Sequence, residues 1–245
     1  MKPTGLFVRT DDITLSQREE MFALMESYYE GVDRTTFDAD LDEKAWVIQI
    51  IDEETNRLKG FSTQTVLELE LSGRIVSALF SGDTIVDRDA RSERKLFQVS
   101  GWLVRSLIDA YSGEELYWFL ISKGYKTYRF LPLFFHEFYP RYDMPTPAPF
   151  AEVIDALASW KFPATYDRAA GIVKAGPGSC RLRAGMAEIT PHRLQDPHVR
   201  WFAERNPRHA QGDELCCIAP LTVDNLTSAA HFAMGPRPLV RMTMP

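Results

Sequence analysis

The sequence predicts a mixed α/β fold, built on an antiparallel meander that leads into a parallel strand–helix–strand unit. Three strand-like runs, Ala45–Ile51, Leu58–Leu71 and Arg74–Val86, follow one another with only short turns between them, and strands joined in that way pair antiparallel. An amphipathic stretch, Leu96–Tyr111, then separates the last of them from a nearly unbroken apolar run within Glu115–Ser122. A helical crossover sets its two strands parallel, and a continuous apolar run suits a strand covered on both faces. With 245 residues, 45% hydrophobic and 12% aromatic, the chain has ample material for a core.

In chain order, Leu6–Arg9 reads as an edge strand before the turn-like Thr10-Asp11-Asp12. Leu15, Met21, Phe22, Met25 and Tyr28 keep a helical period, with Thr14 as cap, Gln17 at capping-box reach and Gly31 as the stop. Val32–Lys44 carries five acidic residues and few apolar ones, so it is either a surface loop or a short helix. In Leu58–Leu71, Leu67, Leu69 and Leu71 alternate with Glu68 and Glu70, and Ser72-Gly73 turns the chain. Ser81-Gly82-Asp83 lies inside the next strand, where a glycine marks a β-bulge or a close backbone approach. The charged stretch Asp87–Lys95 is expected to be a loop into the helix that follows. A strand that runs through a polar loop into a helix N-terminus suits an anionic ligand, because the first helical N–H groups have no internal partners.

Beyond Ser122, Phe130, Phe134 and Phe138 fall at i, i+4 and i+8, which predicts one aromatic helix with Pro132 in its first turn and Pro140 at its end. Pro145, Pro147 and Pro149 form a stiff connector, dividing the chain into residues 1–144 and a C-terminal α/β extension, 145–245, that packs on the first part or completes it. The extension is expected to hold a helix at Phe150–Trp160, a loop at Ala175–Ser179 and a helix opened by Asp196-Pro197. A buried strand at Leu215–Ala219 and a last helix, capped by Thr222 and running to Met234, would follow.

Composition excludes several functions. A net charge of −6 argues against nucleic acid or an anionic membrane as main partner, leaving Arg91–Lys95 as a local anion site. Three cysteines, Cys180, Cys216 and Cys217, have neither metal spacing nor an even number, which implies a reducing, cytoplasmic setting. Cys216-Cys217 reads as buried small hydrophobes. The start of the sequence has no apolar signal region, and no window approaches the about 18 apolar residues of a membrane span. His136, His192, His198, His209 and His231 are scattered, so no metal is expected, and neither a Gly-x-Ser-x-Gly elbow nor a phosphate-binding Gly-x-x-x-x-Gly-Lys loop occurs.

The order strand, helix, three antiparallel strands, helix, strand, helix over the first 140 or so residues resembles the GNAT superfamily of N-acyltransferases. Locally, Ile85-Val86-Asp87-Arg88-Asp89-Ala90-Arg91-Ser92 stands where that family has a strand end followed by Arg/Gln-x-x-Gly-x-Gly/Ala. Arg91 takes the motif's first position, but both glycines are missing, and Arg94 and Lys95 occupy their region. Such glycines let backbone N–H groups close on a pyrophosphate. Arg94 and Lys95 would instead bring side-chain cations to it, or be a solvated helix start.

The resemblance implies a GNAT-like mixed sheet in which the fourth and fifth predicted strands, Arg74–Val86 and Glu115–Ser122, are parallel and splay apart. It implies acetyl-CoA or another acyl-CoA as co-substrate, without a metal, held by Ile85, Val86, Arg91, Ser92, Arg94 and Lys95. It further implies acyl transfer to the amine of a small molecule. Two alternatives stay open: a donor on an acyl carrier protein, and a GNAT-like domain that only binds. Family practice puts a general acid tyrosine after the fifth strand, here Tyr139, with Tyr128 and Tyr142 behind it. Asp83, beside the bulge, and Glu70 are the candidate bases, with Glu68 beside Glu70; those two glutamates also fit the wet face of a sheet.

Overall fold

The computed structural model describes residues 3–87, 90–176, 179–186 and 188–235, and only the backbone of residues 90–92. The meander hairpin illustrates how local chemistry sets the frame. Ser72 and Gly73 take φ of 53° and 80° between the paired residues Leu71 and Arg74, the positive-φ two-residue turn whose twist matches the strands it joins.

The elements in order are β1 (Pro3–Arg9), α1 (Leu15–Tyr28), β2 (Tyr29–Glu30), α2 (Arg34–Asp42), β3 (Trp46–Asp52), β4 (Leu58–Leu71), β5 (Arg74–Val86), α3 (Ala90–Ala110) and β6 (Glu115–Ser122). They continue with α4 (Tyr125–Tyr128), α5 (Phe130–Phe134), α6 (Ala148–Lys161), β7 (Tyr166–Asp167), β8 (Ile172–Val173), β9 (Arg181–Leu182), α7 (Pro197–Arg205), β10 (Glu214–Pro220) and α8 (Ser228–Met234). One sheet runs β1-β3-β4-β5-β6-β10-β8-β7, with β1 at its edge as expected, and β2 and β9 form a separate small ladder. Among the described residues β5 and β6 are the parallel pair of the large sheet, and its other pairings are antiparallel. This is the α/β arrangement that the order of elements implied: an antiparallel meander leading into a parallel β5–β6 pair, in a mixed sheet flanked by helices.

Both faces of the sheet are covered. On one, α3, α7 and α8 pack on Leu79, Leu116, Leu120, Leu215 and Cys217. On the other, α6 packs on Val76, Ala78, Phe80, Phe119 and Ile218, while α1 and α2 pack on Val47, Phe61 and Ile85. Cys216 and Cys217 therefore point to opposite faces and are both buried, as their apolar setting suggested, and burial raises both thiols well above the ordinary range. The segment after Pro145 supplies β10, β8 and β7 to the same sheet.

Several expectations need correction. Thr14 and Gln17 do form a capping box, and Val32–Lys44 resolves into the helix α2, capped by Asp33. The loop expected over Asp87–Lys95 is shorter, because α3 already begins at Ala90. The single aromatic helix does not form. Two short helices are followed by extended chain in which Tyr139 exchanges both backbone hydrogen bonds with Ile218 of β10, at 2.8 and 2.7 Å. Pairing with β10 thus outcompetes the helical period. Phe130 and Phe134 pack on Phe97, whereas Phe138 meets Tyr128 and lies under Arg141. Thr222 caps a 3-10 turn, Val223–Asn225, and it is Thr227 that caps the last helix.

At Gly60 the backbones of β4 and β5 lie in close contact. A Cβ there would stand 2.9 Å from the carbonyl oxygen of Ile85 and 3.1 Å from Val86 Cα, backbone atoms that cannot swing aside. Gly60→Ala should therefore destabilise the fold by about 1–3 kcal/mol and lower Tm by roughly 2–10 °C in a thermal melt; an unchanged Tm would show that the two strands can separate freely.

Candidate functional site

Pairing of β5 with β6 runs from Val76↔Glu115 to Ser81↔Leu120 and then stops, although β5 continues for another turn of the ladder with β4. The cause lies in β5. Ser62 faces Thr84 and Gln64 faces Ser81, so the lone Thr63 stands opposite both Gly82 and Asp83. That is a β-bulge, which bends a strand and sharpens its twist. Gly82 suits it, since a Cβ would come 2.6 Å from Thr63 Oγ1 and 2.8 Å from Lys44 Cε. Meanwhile β6 stays with β10 to its end, Ser122 pairing with Leu215.

The strands thus part, and a cleft of about 580 Å³ opens between Gly82–Val86 on one side and Leu120–Gly124 on the other. Among the described residues no strand pairs with the cleft-facing edge of Gly82–Val86. Its backbone groups are available to an extended ligand.

A polar cluster lines the same cleft. Lys123, at the C-terminal end of β6, places Nζ 3.3 Å from Glu214 Oε1, 3.7 Å from Cys180 Sγ and 5.4 Å from the centroid of the Tyr29 ring. Burial works against its charge, but the Glu214 carboxylate beside it holds the ammonium protonated. Burial likewise raises Tyr29 and Cys180, against the pull of Lys123, so both keep their protons at neutral pH. Lys44, its side chain fully buried, pairs with Asp40 at 2.6 Å and lies over Phe80.

Asp83 stands among these groups. Loss of water raises its carboxyl to about 6; Asp40 and Glu214 add to the shift, while Lys123 and Lys44 oppose it. A carboxyl poised near neutrality in a cleft suits proton transfer.

The structure brings Asp83, Ile85 and Val86 together on one wall. Tyr139 and Glu70 lie elsewhere. Tyr139 is buried against α6, its ring tilted against that of Phe150, with its hydroxyl donating to Glu137, and Glu70 pairs with Ile75 near the hairpin, at the far end of β4. Tyr128 is enclosed by Trp201 and Phe202 and donates to the Pro140 carbonyl, and Tyr142 packs on His198. Of the cationic candidates, Arg94 is exposed and lies off the cleft, and Lys95 donates to Gln98 beside Gly5 of β1. The side chains of Arg91 and Ser92 lie outside the described residues. Among the described side chains of the first turn of α3, Glu93 lines the cleft.

Sequence reasoning missed Tyr29, Lys123, Cys180 and Glu214. For Lys123 a signal existed, a charge at the carboxyl end of a buried parallel strand, where ligands of open α/β sheets gather. Among the described residues no group of His, Cys, Asp and Glu could hold a metal, and no helix is long and apolar enough to cross a membrane.

No protein-family model matches the sequence, and no curated protein matches it. Similar solved structures include a probable N-acyltransferase of Enterococcus faecalis V583 (TM-score 0.41, 14% identity, covering 55% of this chain and 33% of that one). Others are a GCN5-related N-acetyltransferase of Brucella melitensis (0.37, 13%, 68% and 86%) and Saccharomyces cerevisiae N-myristoyltransferase with myristoyl-CoA bound (0.34, 14%, 72% and 43%). Similarity of this extent carries no assignment, so the chemistry of the cleft has to be taken from its own residues.

The native chain holds the Asp83 proton more tightly than the unfolded chain, whose carboxyl titrates near the ordinary 3.8. Stability is therefore lost as pH rises from about 4 through 6 and stays lost above. Asp83→Asn removes that loss. It should stabilise the protein by about 1–3 kcal/mol at pH 7.5 and leave it little changed at pH 3.5, read from urea midpoints; equal effects at both pH values would rule out a desolvated carboxylate.

Proposed function

We propose that the chain is an acyltransferase, moving an acyl group from a coenzyme A thioester to the amine of a small molecule in the cleft between β5 and β6. The observation that carries this is the coincidence of an unpaired strand edge, Gly82–Val86, with a desolvated carboxyl on the same wall. The edge offers backbone donors and acceptors to the amides of a pantetheine arm, as a further strand would. It also holds the thioester beside Asp83.

The amine attacks in its neutral form. As the C–N bond forms, the nitrogen becomes acidic and sheds its proton to the Asp83 carboxylate; as the C–S bond breaks, the thiolate leaves with that proton. A thiol titrates near 8.5, above Asp83 at about 6, so the second transfer runs downhill and restores the carboxylate. Lys123, fixed by Glu214, supports the developing oxyanion by its charge.

Binding and catalysis are tested separately. Acetyl-CoA should raise Tm, since a ligand of the native state stabilises it. Asp83→Asn should keep that shift and lose about 10²- to 10⁴-fold in kcat, measured as thiol release over a panel of amines. The wild-type rate should rise with pH through an apparent pKa of about 6. Absence of any shift with acyl-CoA, together with a shift on adding a carrier protein bearing the same arm, would move the donor to the carrier; no shift with either would sink the proposal.

A further inference from the structure

A second cavity, of about 100 Å³, lies on the α3 face of the sheet. It shares Thr84, Leu96, Phe97, Leu120, Thr127 and Phe130 with the cleft, so the two adjoin near the point where the strands part. From this adjacency, and building on the acyl transfer proposed above, we infer that the second cavity receives the acyl chain of the donor and selects short chains over acetyl.

The walls of the second cavity suit an apolar occupant. Leu79, Leu103, Val104, Phe135 and Leu226 supply hydrocarbon surface. The polar groups on the sheet side bond to one another instead of facing the space. Trp118 Nε1 donates to Ser81 Oγ at 3.0 Å, Ser81 donates to Gln64 Oε1 at 2.8 Å, and Gln64 Nε2 donates to Ser62 Oγ at 2.7 Å. Ser62 and Thr84 share a hydrogen bond of 2.6 Å. The chain of bonds ends at Thr84, on the threshold, where a thioester carbonyl would sit. An apolar groove whose polar neighbours are engaged with one another takes hydrocarbon readily.

Met234 of α8 seats its side chain against Gly101 of α3, where a Cβ would collide with Met234 Cγ, and both residues line the cavity. A carbon unit needs about the space of a water molecule, roughly 30 Å³. The cavity thus has room for about three such units beyond the threshold, which with the carbonyl carbon sets the favoured acyl group at about four carbons.

The experiment is calorimetric titration of the full chain with CoA and with acetyl-, butyryl-, hexanoyl-, octanoyl- and palmitoyl-CoA. Affinity should rise about three- to fourfold per added methylene up to butyryl and fall beyond. Met234→Ala should move the break two or three carbons longer, and Ala233→Leu, which fills the same end, should move it toward acetyl. Equal affinity for every chain length, or a break unmoved in both variants, overturns the cavity assignment while leaving the thioester reading in place. Hexanoate alone separates the two ideas in the other direction. If it binds and responds to Met234→Ala while no CoA compound binds, the cavity stands and the thioester reading falls. If neither hexanoate nor any acyl-CoA binds, both fall.

Discussion

The molecule turns on the extra residue in β5. Before the bulge, Val76, Ala78 and Phe80 face α6, and Ser77, Leu79 and Ser81 face α3. After it the parity is reversed. Ile85 joins the core under α1 and α2, while Thr84 reaches the hydrogen-bonded chain on the α3 side. An alternation of period two cannot make that change without an inserted residue. With Gly82 or Asp83 deleted, Ile85 and Thr84 would exchange faces, burying a hydroxyl in one core and withdrawing a large apolar side chain from it. The same insertion bends β5 away from β6, so core packing and the opening of the cleft share one origin.

The electrostatics follow from that geometry. Opening the sheet exposes backbone edges, yet the space is closed over by residues from distant parts of the chain, Tyr29 at the end of α1, Cys180 before β9 and Glu214 at the start of β10. Charges held there lose most of their water. Lys123 keeps its charge because Glu214 is within 3.3 Å, whereas Asp83 has attracting lysines on one side and Asp40 and Glu214 repelling it on the other. Two ionisable groups a few residues apart in space are thereby pushed in useful, different directions, one fixed as a cation and one poised near neutrality.

What could be read from the sequence was what neighbours in the chain decide. The meander, the buried β6 and the helix between it and β5 each rest on spacing within a short window, and the bulge announced itself through Gly82. Where the reading failed, a partner far along the chain intervened. Phe130, Phe134 and Phe138 keep a helical interval, but an edge of β10 takes up the backbone at Tyr139 and the helix ends at Phe134. Thr222 and Thr227 are equally good caps in isolation, and only the docking of the chain against Phe134 and Leu133, through Thr227, separates them. Lys123 stood legibly at the carboxyl end of β6, but its partners Tyr29, Cys180 and Glu214 reach it from three separate segments and had no local signature.

The place of β10 has a consequence for biosynthesis. β6 is flanked by β5 on one edge and by β10 on the other, yet β10 follows α6 and α7 in the chain. While the ribosome is still making the intervening segments, one side of an apolar central strand has no partner, the condition under which nascent chains stick to one another or recruit chaperones. The sheet is completed by a late arrival in its middle, so the cleft, one wall of which depends on that strand, cannot exist before the chain has been synthesised as far as Pro220.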